Sequence, residues 1–454
     1  MHMLTRVCLS LALLWVKPSW SQIGSIPYEI PTTSANESQM LTPPPVSIEG
    51  YPTTVGSQMR SNYLAAGLIF TTDYNDNVQP GVTATQVSDF IYTLSPTITL
   101  NKTTTREQLA FAYSPGFTFY QHTSTLNTLA QNAALNFQYR LSHNMTISLS
   151  DSFQKSSNAF DQLYPVSGGA IASSSQTPAV AVVTPYADQI HNTANMGLGY
   201  QFRRNGMIGA SGVSTDSDYP TPSEAPGFYN SHSLGGSAFY SQRMSSTQYV
   251  GVIYQGLRSR SNPVNAQANP LISEPEVRTH TILAFYTIYL NPTLSLSLSG
   301  GPQYTTATQA LSPPFNSWTP SVMASIGWQR TYTNVVASYS RTVTGGLGLP
   351  GAFESDSANA SVLWQITSTW SVGAAGSYSN NKNITPSFPS PNPGGQANSG
   401  TFSVHHSMSE HLNMELGFAR LHQSYSDIAV LSSAPDSNRE FISVSYRLTR
   451  PLGK

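Results

Sequence analysis

The most persistent regularity in the chain is a period of two. Leu109, Phe111, Tyr113, Phe117 and Phe119 alternate with Ala110, Ala112, Ser114, Gly116 and Thr118, so an extended strand would carry bulky apolar groups on one face and small or polar groups on the other. Met145, Ile147 and Leu149 against Thr146, Ser148 and Ser150 repeat the pattern, as do Leu294, Leu296 and Leu298 against Ser295, Ser297 and Ser299. Phe90, Tyr92, Leu94, Ile98 and Leu100 follow it too, with Ile91 as a departure. Two unlike faces, residue by residue, suit a wall with lipid on one side and polar solvent on the other.

The connections between these runs alternate between short turns and long polar loops. Short turns are predicted near Asn101-Lys102, Ser142-His143-Asn144, Arg204-Asn205-Gly206, Ser245-Ser246, Asn291-Pro292, Thr331-Tyr332-Thr333, Thr367-Ser368-Thr369 and Ser409-Glu410-His411. Long loops are predicted at 75–86, 121–128, 155–189, 215–230, 259–276, 305–317, 344–356, 379–399 and 423–438. Eight turns and nine loops make seventeen connections and about eighteen strands. Counts of sixteen or fourteen stay open, because the 215–230 region and the weak alternation of Met207–Val213 can be read otherwise. The expected fold is all-β: a transmembrane antiparallel up-and-down β-barrel over residues 62–454, with short periplasmic turns and long extracellular loops. A soluble β-sandwich or propeller is the competing architecture.

The N-terminus reads differently. Met1–Arg6 is a short basic start, Val7–Val16 an apolar run, and Ser19-Trp20-Ser21 a small-x-small site, which predicts a signal peptide over 1–21 cleaved before Gln22. Cys8 leaves with it, so the mature chain has no thiol for a disulfide, a metal or a nucleophile. Residues 22–61 are rich in Pro, Ser and Thr, include Pro43-Pro44-Pro45 and lack periodicity, which predicts a periplasmic linker.

Composition agrees with the barrel. Charged residues are only 9% of the chain, against about 25% in ordinary soluble domains, while hydrophobic residues reach 39% and mean hydropathy is −0.21. Beyond the N-terminus, no window offers the roughly 18 apolar residues of a membrane helix. Aromatic residues make up 11%, and Trp318, Trp328, Trp364 and Trp370 lie near strand ends, where interfacial girdles would place them. A net charge of −1 with scattered Lys and Arg leaves no basic stripe for nucleic acid.

Little catalytic chemistry is legible. His405, His406, His411 and His422 are close in sequence, but neighbours on a strand face opposite sides, so no metal site is expected. Ser152-Phe153-Gln154-Lys155 has the Ser-x-x-Lys spacing without its usual companion motifs. Gly345-Gly346-Leu347-Gly348-Leu349-Pro350-Gly351 lacks the Lys-Ser/Thr ending of a phosphate loop. No catalytic residue, metal or cofactor is assigned, the substrate-binding residues are left unknown, and the chain is read as a non-enzyme. Arg140, Arg203, Arg330, Arg341 and Arg447 are candidate lumen or rim charges.

Asp73-Tyr74-Asn75-Asp76-Asn77-Val78, then Ser88-Asp89-Phe90-Ile91-Tyr92-Thr93-Leu94-Ser95-Pro96, then the strand with Leu109, Phe111 and Tyr113, resembles the opening hairpins of outer-membrane β-barrel porins, including the beta-barrel porin-2 group. The resemblance covers roughly the first quarter of the barrel and carries over no functional residue. It implies an outer-membrane channel, and an association with exopolysaccharide or capsule systems, as for some members. Phe441–Leu448 looks like the terminal strand recognised by barrel-assembly machinery, although the chain continues through Thr449–Lys454 instead of stopping on an aromatic.

The leading expectation is passive diffusion of small polar solutes through a lumen that sixteen to eighteen strands leave open. The loop at 155–189 is expected to fold inward and narrow it. The alternatives are glycan export past lumenal tyrosines, and a closed barrel whose loops form an interaction surface. Expected partners are outer-membrane lipid, the barrel-assembly machinery and small polar solutes or glycans, and a homo-oligomer stays open.

Overall fold

Alternating strands of this length bury neither face alone, and an antiparallel ladder that closes on itself is the arrangement that leaves no backbone edge unpaired. The computed structural model shows this closure. It describes residues 62–80, 85–157, 160, 187–225, 227–264, 275–291, 293–308, 313–345, 348–349, 351–385, 394–426 and 436–452. The predicted signal peptide and linker lie outside them.

Eighteen strands follow one another: β1 Tyr63–Asn75, β2 Asp89–Thr103, β3 Glu107–Tyr120, β4 Thr128–Ser142, β5 Met145–Ser156 and β6 Gln189–Arg203. Next come β7 Gly206–Asp218, β8 Tyr229–Arg243, β9 Gln248–Pro263, β10 Glu276–Asn291, β11 Leu294–Thr308 and β12 Phe315–Gln329. The last six are β13 Thr333–Gly345, β14 Ala352–Gln365, β15 Trp370–Asn383, β16 Gly394–Ser407, β17 Leu412–Ser426 and β18 Asp436–Pro451. Each pairs antiparallel with the next, and β1 pairs with β18 from Tyr63↔Pro451 to Asn75↔Arg439, closing the barrel. An even strand count brings Tyr63 and Pro451 to the same rim, the one that carries the short turns. Among the described residues, no helix is long and apolar enough to cross a membrane.

Register assigns the faces. Leu68 lies opposite Tyr446 and Phe70 opposite both Leu94 and Val444, all exposed on the outside. The opposite parity points Asp73, Thr93 and Ser95 inward, where they are buried. Leu294, Leu296 and Leu298 face outward opposite Trp328, Ile326 and Ala324. Ile91 faces inward and is fully buried beside Val78 and Tyr120, so its departure from the pattern marks apolar packing inside the barrel. The weakly alternating Met207–Val213 lies within β7, where Gly209, Ala210, Ser211 and Gly212 put small groups on both faces.

Seven of the eight turns fall where the residues place them. The first does not: β2 runs on to Thr103, and the turn is 104–106. Thr104 makes it, its Oγ1 accepting from the backbone N–H of Glu107 at 3.0 Å. The long loops are shorter than expected, because strands continue through Ser259–Pro263, Thr305–Thr308, Ser379–Asn383 and Gln423–Ser426. Above the apolar band both faces are polar, so alternation fades while the backbone ladder persists.

The loop between β3 and β4 shows how a rim segment is pinned. Asp89, 1% exposed, accepts from the backbone N–H groups of His122 and Thr123 at 3.0 and 2.7 Å and from Thr123 Oγ1 at 2.6 Å. Asp89→Ala leaves those donors without their acceptor, at about 1–3 kcal/mol. The expected result is faster limited proteolysis at 121–127, with the barrel otherwise intact.

Candidate functional site: the lumen and its constriction

Eighteen strands spaced about 4.8 Å apart and tilted by about 40° enclose a ring roughly 35 Å across between opposite backbones. That space must hold water or be filled by the chain, and the two ends of this barrel differ. Towards the short-turn rim, the inward positions Asn136, Gln138 and Arg140 of β4, Ser148 of β5, Ser211 of β7, and Arg447 and Thr449 of β18 are polar and solvent-exposed. Along these strands the half is a wet vestibule, whereas along β8–β12 it is packed, with the inward Ser241, Tyr249, Phe285, Thr287 and Met323 all buried.

Towards the long-loop rim, the inside is packed. Tyr219 after β7, Phe228 before β8, Leu349 between β13 and β14, Phe353 on β14, Tyr425 on β17 and Ala187 before β6 form one buried cluster. Its members come from widely separated parts of the wall, so the cluster spans the interior. Backbone and side-chain bonds fasten it: Tyr229 N–H donates to Gly348 O at 3.0 Å, Gln189 Nε2 to Tyr219 Oη at 3.3 Å, and Asn381 Nδ2 to Tyr425 Oη at 2.8 Å. Burial pushes the Tyr219 phenol well above its ordinary range, keeping it neutral. Gly348 has φ +80, a left-handed conformation that glycine adopts without strain, and an added Cβ would lie 2.8 Å from Tyr219 Oη.

A second filling element is the wall itself. The β12–β13 ladder stops at Val322↔Arg341, whereas β13 stays paired to β14 up to Gly345↔Ala352. Past Arg341, β13 bends inside, and the inward side chain of Gln303 on β11 binds its backbone as another strand would. Gln303 Nε2 donates to Val343 O at 2.7 Å, and Val343 N–H donates to Gln303 Oε1 at 2.8 Å. Val343 then packs with Val277, Ala307 and Ala352, and a Cβ on Gly345 would meet Val277 at 3.0 Å.

The third element is an ionic latch. Arg439 on β18 faces inward with its side chain 13% exposed, and Asp73 on β1, 1% exposed, pairs with it at 2.8 Å. Phe160, from the loop after β5, is 2% exposed and lies 5.8 Å from the Arg439 guanidinium, with Phe441 at 5.6 Å. Phe160 thus reaches into the barrel, while the narrowing expected of the 155–189 segment falls mainly on residues outside those described. Residues 158–159 and 161–186 lie outside the description.

The arginines separate into three groups. Arg140 and Arg447 face the vestibule, Arg447 over the Tyr63 ring at 5.6 Å. Arg203 ends β6 at the short-turn rim, and Arg330 sits in the β12–β13 turn near Trp328 at 5.9 Å. Arg341 is not lumenal: its parity on β13 is that of Tyr339, and it pairs with Glu354 at 2.5 Å. Arg439, the buried lumenal arginine, was missed, although it shares strand parity with Arg447 eight residues on.

Tyrosines also depart from expectation. Tyr92, Tyr113, Tyr139, Tyr200, Tyr254 and Tyr286 are among those whose register points them outward. Inward ones such as Tyr120, Tyr219 and Tyr425 are buried in the packed half. No exposed tyrosine track lines the described lumen. His405 and His406 face opposite sides, His406 stacking outside on Trp370 at 4.1 Å, while His422 binds Asp436 at 3.1 Å. Ser152 points inward and Lys155 outward, where Lys155 pairs with Asp188 at 2.9 Å.

No family model and no curated protein sequence matches the chain. Among solved structures, it is similar to OccK2 (OpdF) of Pseudomonas aeruginosa, at 8% identity and TM-score 0.42 over 86% of this chain and 98% of that one. It is also similar to OccK3 (OpdO) of the same organism, at 11% identity and TM-score 0.39 over 86% and 96%. The ferric citrate transporter FecA in its unliganded form gives 10% identity and TM-score 0.41, with 81% of this chain covering 60% of that one. At such identities and overlaps, the fold of this chain rests on its own strand register.

Proposed function

We propose that the protein is an outer-membrane channel for small polar solutes, with a vestibule open to the periplasm and a constriction in its extracellular half. The observation that carries this reading is the change inside the closed barrel from exposed Asn136, Gln138 and Arg140 on β4 to the buried cluster around Tyr219, Phe353 and Tyr425. The mechanism is selection by size and hydrogen bonding. Ser, Thr, Asn and Gln side chains replace part of a solute's hydration along the wall, and the packed loops set what passes. The short-turn rim is assigned to the periplasm because barrels of this type keep their long loops outside.

Planar-bilayer recording of the refolded mature protein tests this. The expected result is small, discrete conductance steps, with brief larger openings when the constriction yields. A correctly folded barrel that stays silent with the constriction loosened as well would reject the channel reading in favour of a closed interaction barrel. For glycan export, no exposed tyrosine track lines the lumen among the described residues, and selective block by long oligosaccharides is the result that would favour it.

A further inference from the structure

The outer wall carries a cationic site that the channel does not use. Arg258 and Arg260 on β9 share the outward parity of Val250, Val252 and Tyr254, and Arg278 on β10 shares that of Ile282, Ala284 and Tyr286. All three guanidiniums gather on one carboxylate, Glu276, which also faces outward. Arg258 donates to it through Nε at 2.8 Å and Nη2 at 2.6 Å, Arg260 through Nε at 3.1 Å, and Arg278 through Nε at 2.5 Å. Glu276 is 16% exposed at its side chain, while the arginines are 44%, 49% and 55% exposed.

This cluster has an excess of charge that its counterparts lack. Arg341 is matched by Glu354 and Asp356, Lys155 by Asp188, and Arg420 by Asp436. Here, among the described residues, three arginines meet one glutamate, and the neighbouring His232 is held by Asp216. Arg258 and Arg278 are direct cross-strand partners, a placement in which like charges repel. Each guanidinium offers five donors, so most N–H groups remain after Glu276 is served. A second anion with several acceptor oxygens would relieve the repulsion and take those donors.

Height on the wall says which anion. Tyr254 and His280, hydrogen-bonded at 2.8 Å, close the apolar band on these strands, and Arg278 lies four residues beyond Ile282. At about 3.3 Å per residue and a tilt of about 40°, that is roughly 10 Å further along the membrane normal, the level of lipid headgroups. We propose that Arg258, Arg260 and Arg278 form an external site for the phosphorylated headgroup of a lipid in the surrounding outer leaflet. The proposal rests on the outer face being lipid-facing and is independent of conduction through the lumen.

Native mass spectrometry of the full mature barrel in neutral detergent tests it, with monophosphorylated lipid A, its dephosphorylated form and inorganic phosphate as probes. The expected result is retention of the phosphorylated lipid, weakened about tenfold or more in an R258Q/R260Q/R278Q variant, as for loss of several charge-assisted bonds. The single variant R278Q should show a smaller loss, and heat-modifiable migration in gels confirms that both variants are folded. Equal binding of the dephosphorylated lipid, equal binding by the folded triple variant, or displacement of the lipid by equimolar inorganic phosphate would each overturn the proposal. Bilayer conductance of the triple variant should match that of the parent protein, which separates a failure here from a failure of the channel reading.

Discussion

Single-channel conductance should rise several-fold when Leu349 and Phe353 are both replaced by alanine. The two side chains, 1% and 0% exposed, sit in the cluster that joins β7–β8, β13–β14 and β17 across the interior. Truncating a buried Leu costs about 2–5 kcal/mol and a buried Phe about 3–5. The sum is not simply additive, because the residues share neighbours. What matters is where the loss falls. The wall is held by backbone ladders such as the thirteen register positions of β13–β14, and these do not depend on either side chain. The constriction is held by apolar packing and a few bonds such as Tyr229 N–H to Gly348 O, so it loosens while the barrel stays folded. Bilayer recordings, paired with heat-modifiable migration in gels, check the expectation. Unchanged conductance from a folded double variant would mean that the cluster does not limit passage.

The second large effect is on stability. Arg439→Met should destabilise the barrel by about 3–5 kcal/mol, the usual result of removing one member of a buried ion pair. Asp73 is 1% exposed at its side chain, so its carboxylate cannot turn to water. Pairing Arg439→Met with Asp73→Asn should recover most of the loss, because a neutral amide is cheaper to bury than a carboxylate that has lost its guanidinium. Urea unfolding followed by tryptophan fluorescence measures both. The latch also touches Phe160, so Arg439→Met should quicken chymotryptic cleavage at that residue even under folding conditions. A single variant as stable as the parent would show that the pair is not energetically coupled.

The barrel was legible because its signals are local. Alternation over Leu109–Phe119 or Leu294–Ser299 names the two faces of a strand without reference to any partner, and turn residues such as Arg204-Asn205-Gly206 mark the short rim. Counting these gives about eighteen strands with sixteen or fourteen still open, and the closed register decides for eighteen. Even the departures carried information: Ile91 broke its pattern because it packs inside with Val78 and Tyr120. The strand tops were read as loop because alternation ends with the lipid, whereas hydrogen bonding between backbones does not.

Composition and periodicity therefore determined the kind of wall: antiparallel strands with an apolar and a polar face, joined by short turns at one rim and long loops at the other. Only the tertiary structure decided what fills the wall. Arg341 lies outside and Arg439 inside, Gln303 substitutes for a strand in binding Val343, and Phe160 reaches Arg439 across 279 positions of sequence. The three outer arginines meet Glu276 only because the β9–β10 register sets Arg258 against Arg278 and Arg260 against Glu276. Strand pattern is a property of neighbours along the chain, whereas a constriction and a charge cluster are properties of residues that closure and register bring together.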